Sequence, residues 1–144
     1  MTDPAFEAAF QAAHKSLSEG GIPIGAALAR GGEVIAVGHN ERVQHGDPIA
    51  HGEMCALRAA GRQRSYRDTV LYTTLAPCAM CTGTIIQFKI PKVVVGEAQT
   101  FPGEFDLLRS RGVEVVVLDD QRCVDMMQAF QRDNAELWAE DITE

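Results

Sequence analysis

Apolar residues recur along this chain at two different spacings, and the spacing separates predicted helices from predicted strands. The first helix-like series, with members three or four residues apart, consists of Phe6, Ala9, Phe10, Ala13 and Leu17. This spacing is typical of the buried face of a helix. Asp3-Pro4 supplies an N-cap and a proline at the first helical position, and Gly20-Gly21 ends the segment.

The later segments alternate between strand-like and helix-like patterns. Predicted strands cover residues 24–29, 33–38, 69–73, 92–96 and 113–118, the first two joined by the turn-forming Arg30-Gly31-Gly32. Predicted helices cover residues 51–62, 79–88 and 104–110, with a last one capped by Asp119-Asp120 that carries Val124, Met127 and Phe130. The alternation predicts an α/β fold with a mixed, largely parallel sheet covered by helices on both faces.

Length and composition indicate one ordered domain spanning residues 1–144. The chain is 46% hydrophobic and shows no linker, repeat or low-complexity tract. No apolar run is long enough to cross a bilayer, and the first residues lack the pattern of a signal peptide. We therefore expect a cytoplasmic protein without a membrane partner, whose four cysteines are thiols or metal ligands.

The charge balance bears on possible polyanionic partners. Twenty acidic residues outnumber thirteen basic ones, giving a net charge of -7. Proteins that grip a phosphate backbone usually present a basic patch, so we expect no nucleic-acid partner. The single candidate cluster is Arg58, Arg62, Arg64 and Arg67. We interpret it as the solvated end of a helix, where cations suit the helix dipole.

Two short motifs carry candidate chemistry, each at the start of a predicted helix: His51-Gly52-Glu53 and Pro77-Cys78-Ala79-Met80-Cys81. Cysteines three residues apart on a helix present both sulfurs on one side. With His51 they form a three-ligand set for one Zn²⁺ per chain, leaving the fourth tetrahedral position open, as catalytic zinc sites do. Glu53 is then placed to move protons to and from zinc-bound water.

Two other interpretations of the cysteine pair are a redox couple and half of a structural zinc site. A structural site needs a fourth protein ligand. Cys55, one helical turn after His51, is the candidate for that position, and Cys123 stands alone. We interpret Cys55 as a small buried helix residue, because His-x-Glu followed by Pro-Cys-x-x-Cys is the pattern of zinc deaminases.

Beyond the metal motifs, the chain resembles the fungal-type cytosine deaminases, small members of the cytidine deaminase superfamily. The matching segments are residues 19–25, 38–40, 51–53, 71–74, 77–83, 94–97 and 138–144. The resemblance implies a three-layer α/β/α fold with a mixed five-stranded sheet, and a homodimer. It also implies that His51, Cys78 and Cys81 bind zinc and that Glu53 is the proton shuttle.

The resemblance further implies a substrate pocket. Asn40 corresponds to an asparagine that hydrogen-bonds the substrate ring, and the Gly52 amide to a donor for the base carbonyl. Asp141 corresponds to the acid that contacts the exocyclic amine. The residues implied to enclose the ring are Ile24, Phe101 and Trp138. On the residues alone, Asn40 is typical of a turn and Phe101 of a packed core residue.

The unique tryptophan gives independent support for a closing segment. Trp138 lies six residues from the C-terminus, where chains usually fray. A large aromatic residue there predicts a tail that docks, either stacking on a planar base or simply pinning the last helix.

The sequence thus predicts hydrolysis of cytosine to uracil and ammonia by zinc-bound hydroxide, with Glu53 protonating N3 and the departing amine. The same chemistry on another small ring stays open: guanine, isocytosine, 5-methylcytosine or a creatinine-like cyclic amidine. Two further alternatives are a tRNA adenosine deaminase, which the acidic charge disfavours, and a non-catalytic zinc domain, in which Glu53 has no purpose.

Overall fold

Five strands form one mixed sheet in the computed structural model, which describes residues 3–144. They are β1 (Gly25–Arg30), β2 (Glu33–His39), β3 (Thr69–Leu75), β4 (Lys92–Glu97) and β5 (Glu114–Val117). The strand order is β2-β1-β3-β4-β5. All five strands lie within a residue or two of the positions predicted from the sequence.

Seven helices connect or follow these strands within the described residues. They are α1 (Pro4–Ser18), α2 (Arg42–His45), α3 (Gly52–Ala60), α4 (Ala79–Gln87), α5 (Phe105–Ser110), α6 (Gln121–Asp133) and α7 (Ala135–Ile142). The sequence patterns did not predict α2, or α7 as a separate helix. They also extended α3 to residue 62. That helix ends earlier because Gly61 takes a φ of 73°, a conformation that favours glycine and stops the helix.

The sheet is less parallel than the alternation of elements predicted. β1 pairs antiparallel with both β2 and β3, whereas the β3–β4 and β4–β5 pairs are parallel. The reason is that the crossover through α3 joins two strands of the same direction, β2 and β3, but β1 lies between them. Two of the four strand pairs are therefore antiparallel.

This topology gathers the predicted site residues at one edge. β2, β3, β4 and β5 all run in one direction, and β1 runs against them. The carboxyl ends of β2, β3 and β4 therefore share an edge with the start of β1. At that edge Ile24 directly precedes β1 and Asn40 directly follows β2, while Cys78 and Phe101 lie in the segments that follow β3 and β4. Ligands bind at such edges in α/β proteins.

Helices cover both faces of the sheet, giving the predicted α/β/α layers. On one face, α1 and α6 enclose a cluster of Phe6, Phe10 and Cys123. On the other, residues of α3, α4 and α5 pack on Leu28, Leu71 and Val95 in the larger cluster. A third cluster lies near the site edge and contains Ile22, Ile24, Leu75, Met127 and Phe130.

Two glycines let the helices approach the sheet closely. A Cβ added at Gly25 would lie 2.1 Å from the Ala9 carbonyl oxygen of α1, and one at Gly38 would lie 2.3 Å from the Ala56 amide nitrogen of α3. Both helices therefore sit against the β1–β2 hairpin, which fixes where α3 begins. Within residues 3–144, no helix combines the length and apolar character needed to span a membrane.

Candidate active site

Two helix N-termini meet at the site edge of the sheet. His51 is the N-cap of α3 and Cys78 is the N-cap of α4, both with extended backbone conformations. The Cys78 sulfur accepts a hydrogen bond from the Cys81 amide at 3.5 Å. Helix N-termini favour negative charge, so this position suits a thiolate.

The three predicted ligands converge into one cluster. His51 Nδ1 lies 3.4 Å from Cys78 Sγ, and one ligand atom each from His51, Cys78 and Cys81 lies within 4.8 Å of the others. One imidazole nitrogen and two sulfurs are ligands that zinc prefers, at bond lengths of about 2.0 to 2.3 Å. The donor set therefore fits a zinc ion with one position left for water or substrate.

The two thiols have unequal acidity. A hydrogen bond from Cys81, together with His51, lowers the pKa of Cys78 to about 4. The hydrogen bond to Cys78 and burial raise the pKa of Cys81 well above its ordinary value. The environment of Cys78 therefore favours the thiolate. A thiolate is the form that binds metal.

Glu53 is buried beside this cluster, with 4% of the residue exposed. Burial, reinforced by the negative charge of Cys78, raises the pKa of Glu53 to about 7. It lines the same cavity as His51 and Cys78. A carboxyl group with a pKa near neutrality can both accept and donate a proton at physiological pH.

Asp141 reaches the cluster from α7, near the C-terminus. Its Oδ1 lies 3.5 Å from His51 Nε2 and accepts a hydrogen bond from Asn40 Nδ2 at 3.1 Å. Arg42 Nε lies 3.9 Å from the same oxygen. Burial raises the pKa of Asp141. The carboxylate orients His51 from its side opposite Cys78, as outer partners of metal-binding histidines commonly do.

Apolar residues close the cavity over the cluster. Together with His51, Glu53, Cys78 and Asp141, the lining consists of Ile24, Leu75, Ala76, Phe101, Trp138 and Ile142. Phe101 and Trp138 meet edge to face, with ring centroids 5.9 Å apart and an interplanar angle of 87°. The cavity volume is about 10 Å³, enough for about one water molecule. This cavity is therefore too small for a substrate ring, whereas a second cavity of about 410 Å³ shares His51, Cys78, Phe101, Asp141 and Ile142 with it.

The family follows from a comparison of the sequence with known proteins. Residues 2–97 match the model of the cytidine and deoxycytidylate deaminase zinc-binding region. The chain belongs to this deaminase family. It is accordingly a zinc-dependent enzyme, a hydrolase acting on a C–N bond, and the match contains all three clustered ligands and Glu53.

Relatives extend the match over nearly the whole deaminase chain. It is 48% identical over 141 residues to a cytosine deaminase of Candida albicans, covering 96% of this chain and 94% of the relative. It is 34% identical over 147 residues to a tRNA-specific adenosine deaminase of Streptococcus pyogenes, covering 89% and 88%. A guanine deaminase structure from Nitrosomonas europaea shares the fold, with a TM-score of 0.78 at 19% identity, covering 92% and 85%.

The structure brings most of the predicted site residues of this deaminase to one place. The cavity lining includes the metal-ligand candidates His51 and Cys78, the acids Glu53 and Asp141, and the three residues predicted to enclose the ring, Ile24, Phe101 and Trp138. Three others lie behind this lining: Asn40, Gly52 and Cys81. Asn40 is fully buried, Cys81 lies in the metal cluster, and Gly52 packs against the Ile24 carbonyl.

Cys55 lies outside the cluster, as its interpretation as a buried helix residue predicted. It lines a separate cavity with residues of α1 and β2, and its sulfur lies 4.0 Å from Glu41 Oε2. Burial, reinforced by Glu41, raises the pKa of Cys55 to about 11. Among the described residues, the metal cluster therefore contains two sulfurs and one nitrogen.

Sequence reasoning missed Arg42 and Glu97. Arg42 donates its backbone N–H to Asn40 Oδ1 at 3.0 Å and its Nε to the Pro48 carbonyl at 3.1 Å. The first contact orients the Asn40 amide toward Asp141. Glu97 lies in the matching segment 94–97 but was given no role there, and Arg42 lies outside the matching segments. Both residues bond to groups within six positions of the chain, and hydrophobic periodicity does not report such bonds.

Proposed function

We propose that this deaminase converts cytosine and water to uracil and ammonia. The observation that carries the proposal is the position of α7, which places Asp141 and Trp138 over the His51, Cys78 and Cys81 cluster. The Candida albicans cytosine deaminase is 48% identical over almost the full length, which supports the same substrate. A pocket narrowed by Phe101 and Trp138 suits a small free base better than a polymer.

The residues of the cluster have separate duties in this proposal. His51, Cys78 and Cys81 hold the zinc ion, which when bound acidifies a coordinated water to a pKa of about 7 and so supplies the nucleophile. Glu53 accepts the proton that this water loses. It delivers this proton to N3 of the ring, then takes the second proton of the same water and delivers it to the departing amine. Its pKa of about 7 permits transfer in both directions.

Recognition of the ring falls to groups around the cluster. The Gly52 N–H is in the first turn of α3, where it has no acceptor within the helix, and we assign it to the base carbonyl. Asp141 contacts the exocyclic amine, while Asn40 holds Asp141 and meets the ring edge. Ile24, Phe101 and Trp138 enclose the faces of the ring. A ring whose polar groups do not match these partners is rejected strongly, because it leaves buried polar groups of the site without a hydrogen bond.

Other small rings with an amino group beside a ring nitrogen are the nearest competitors. The guanine deaminase of Nitrosomonas europaea shares the fold at 19% identity, which gives no support for purine turnover here. The competing substrates are guanine, isocytosine, 5-methylcytosine and creatinine-like cyclic amidines. Guanine carries a second fused ring, so it needs a larger outward movement of α7 and Phe101 than cytosine does.

Ammonia release from a panel of compounds tests the substrate. The panel contains cytosine, 5-methylcytosine, isocytosine, guanine, creatinine and cytidine, with zinc quantified in the same preparation. We expect cytosine to give the highest kcat/KM. A higher kcat/KM for any other ring overturns the proposed substrate but leaves the reaction class intact.

A tRNA substrate is tested separately. The 34% identity to a tRNA-specific adenosine deaminase covers most of the chain, but α7 covers the cluster and the net charge is -7. We expect negligible binding of tRNA even at low salt, where phosphate contacts are strongest. Tight binding that weakens steeply with added salt would instead support an RNA substrate.

We also propose that the deaminase is a homodimer. A groove of about 650 Å³ between the ends of α3 and α4 is lined by five basic side chains and no acidic ones, with Phe88 half exposed beside it. The basic residues are Arg58, Arg62, Arg64, Arg67 and Lys89. A second copy of this acidic chain offers complementary charge and an apolar partner for Phe88.

Light scattering on wild type and Phe88→Glu checks this assembly. We expect a dimer for the wild type and a monomer for the variant, with Leu107→Glu as a control at another exposed apolar position. A monomeric wild type contradicts the proposal. The cytoplasmic location and the single domain spanning residues 1–144 also stay predictions.

A further inference from the structure

Glu97 is a fully buried carboxylate at the end of β4 with no place in the chemistry described above. An ionised carboxylate can only accept hydrogen bonds. A buried acid also loses solvation, and this loss must be offset by strong hydrogen bonds. Where those bonds lead therefore shows what Glu97 does.

All of its bonded donors lie in the loop that follows β4. Glu97 Oε2 accepts the Gln99 N–H at 2.8 Å and the Thr100 N–H at 3.0 Å. Oε1 accepts the Thr100 hydroxyl. Three donors from two successive residues fix the backbone directly before Phe101.

The same loop is held from its outer side and at its far end. The Thr100 carbonyl accepts a hydrogen bond from Gln131 Nε2 of α6 at 3.2 Å. Gly103 has a φ of 65°, and a Cβ there would lie 2.7 Å from the Ala76 Cβ. The loop is thus tied to α6 and to the wall of the cavity, with Phe101 between these attachments.

The backbone of Glu97 connects to the metal side of the pocket. The Glu97 backbone carbonyl accepts the Ala76 N–H at 3.0 Å, and Ala76 lies two residues before Cys78. Ala76 and Phe101 both line the cavity. Glu97 therefore joins the segment before α4, through its backbone, to the loop of Phe101, through its side chain.

We propose that Glu97 is a positioning residue that holds Phe101 against Trp138 through its hydrogen bonds to Gln99 and Thr100. Its effect on turnover rests on the proposed function of the pocket, but its effect on the Phe101–Trp138 contact does not. The side chain touches no reacting atom. It acts through the loop backbone, and it decides how tightly the pocket closes over a small ring.

A purely structural role for Glu97 makes a different prediction. A merely structural role would lower the free energy of unfolding without moving Phe101, because losing the acceptor leaves the Gln99 and Thr100 donors unsatisfied. Glu97→Leu keeps the core filled while removing every side-chain acceptor. Glu97→Gln keeps one acceptor oxygen, and its amide can donate to the Thr100 hydroxyl, so it conserves the attachment.

Fluorescence of the substrate-free protein is the first readout, because Trp138 is the only tryptophan in the chain. In Glu97→Leu we expect a red-shifted emission and faster quenching by acrylamide, since Phe101 no longer covers the indole. We expect Glu97→Gln to resemble the wild type. Glu114→Leu, at an exposed glutamate of β5, is the matched control.

Kinetics with cytosine is the second readout. We expect KM to rise about tenfold in Glu97→Leu with zinc content unchanged, because misplacement of an enclosing group by about 1 Å can cost up to about a hundredfold. Glu97→Gln should restore KM to within about threefold. A wild type without turnover contradicts the proposed substrate, yet the fluorescence result still tests Glu97.

The proposal is overturned if Glu97→Leu folds and binds zinc but keeps the emission, the acrylamide quenching and the KM of the wild type. If Glu97→Leu loses its zinc, or if its circular dichroism spectrum shows that it does not fold, a second pair of variants decides. Thr100→Val removes the hydroxyl that donates to Glu97, and Thr100→Ser keeps it. We then expect a change in Trp138 emission for valine alone. Identical emission in both overturns the proposal.

Discussion

The metal side and the recognition side of this pocket are held in different ways. The metal side consists of the first turns of α3 and α4, two helices with several buried residues each. The recognition side consists of the Phe101 loop and α7. Every residue of α7 keeps part of its surface exposed to solvent. A helix with little buried surface opens at low free-energy cost.

This difference suits the two tasks of the enzyme. Metal ligands and the proton-carrying group must keep their geometry through every turnover, so they belong on rigid elements. The cavity between Trp138 and the cluster has room for about one water molecule, so a substrate ring fits there only if part of the wall moves. We infer that the α7 side moves and that α3 and α4 stay in place.

The largest effect is expected on the metal side. Cys81→Ala removes a sulfur of the cluster, so we expect loss of zinc and no detectable ammonia release. Metal analysis and an activity assay check this. Cys123→Ala is the matched control, because it is equally buried but lies in the α1–α6 cluster. One zinc per chain in Cys81→Ala would contradict the ligand assignment.

The next effect separates chemistry from metal binding. Glu53→Gln removes the proton carrier but keeps the shape of the side chain, so we expect zinc to be retained and kcat to fall roughly 10²- to 10⁴-fold. Steady-state kinetics with parallel metal analysis checks it, and Glu114→Gln serves as control. Near-normal turnover in Glu53→Gln would remove Glu53 from the mechanism.

A smaller effect is expected where the two sides meet. Asp141→Asn weakens the contact to His51 and the proposed contact to the substrate amine, so we expect kcat/KM for cytosine to fall about 10- to 100-fold with zinc retained. Glu140→Gln, at the neighbouring and exposed residue, should change little. An unaltered kcat/KM in Asp141→Asn would show that α7 only covers the pocket.

On the recognition side alone, the expected effect is modest. Trp138→Phe keeps an aromatic ring but reduces the contact with Phe101, a loss of about 1 kcal/mol or roughly fivefold in KM. The kcat should stay close to that of the wild type, because the zinc cluster and Glu53 are untouched. A fall in kcat without a change in KM would contradict the division between the two sides.

The smallest effect is expected for the cysteine outside the cluster. Cys55→Ala should retain one zinc per chain, with activity within about twofold of the wild type and a stability loss of about 1 kcal/mol. Zinc quantification and thermal unfolding check both expectations. Loss of zinc in this variant would place a third sulfur in the metal site.

The metal side could be predicted from the sequence because its signals are local. Cys78 and Cys81 are one helical turn apart, so helix geometry places their sulfurs on one side. Glu53 and His51 are recognised together because His-x-Glu is a short motif of consecutive residues. The strands and most helices were predicted for the same reason, since periodicity reports the face that each segment buries. The resemblance to cytosine deaminases added the recognition residues.

The tertiary structure alone decided how distant segments meet. Asn40 and Asp141 are 101 residues apart and share a hydrogen bond, and no spacing rule connects them. The antiparallel pairing of β1 with β3 was also decided by the tertiary structure. The crossover from β2 to β3 passes over β1, and this leaves the pattern of apolar residues within each strand unchanged. Arg42 and Glu97 were missed since hydrogen bonding to a neighbouring backbone leaves no mark on periodicity.

The sequence by itself thus predicted the candidate zinc ligands, the proton carrier and the elements that carry them, because each motif is confined to a few consecutive residues. Only the fold decided that His51 meets the two cysteines, that α7 covers the cluster and that Asp141 reaches His51. Such contacts depend on the packing of whole layers, in which each residue responds to neighbours far away along the chain.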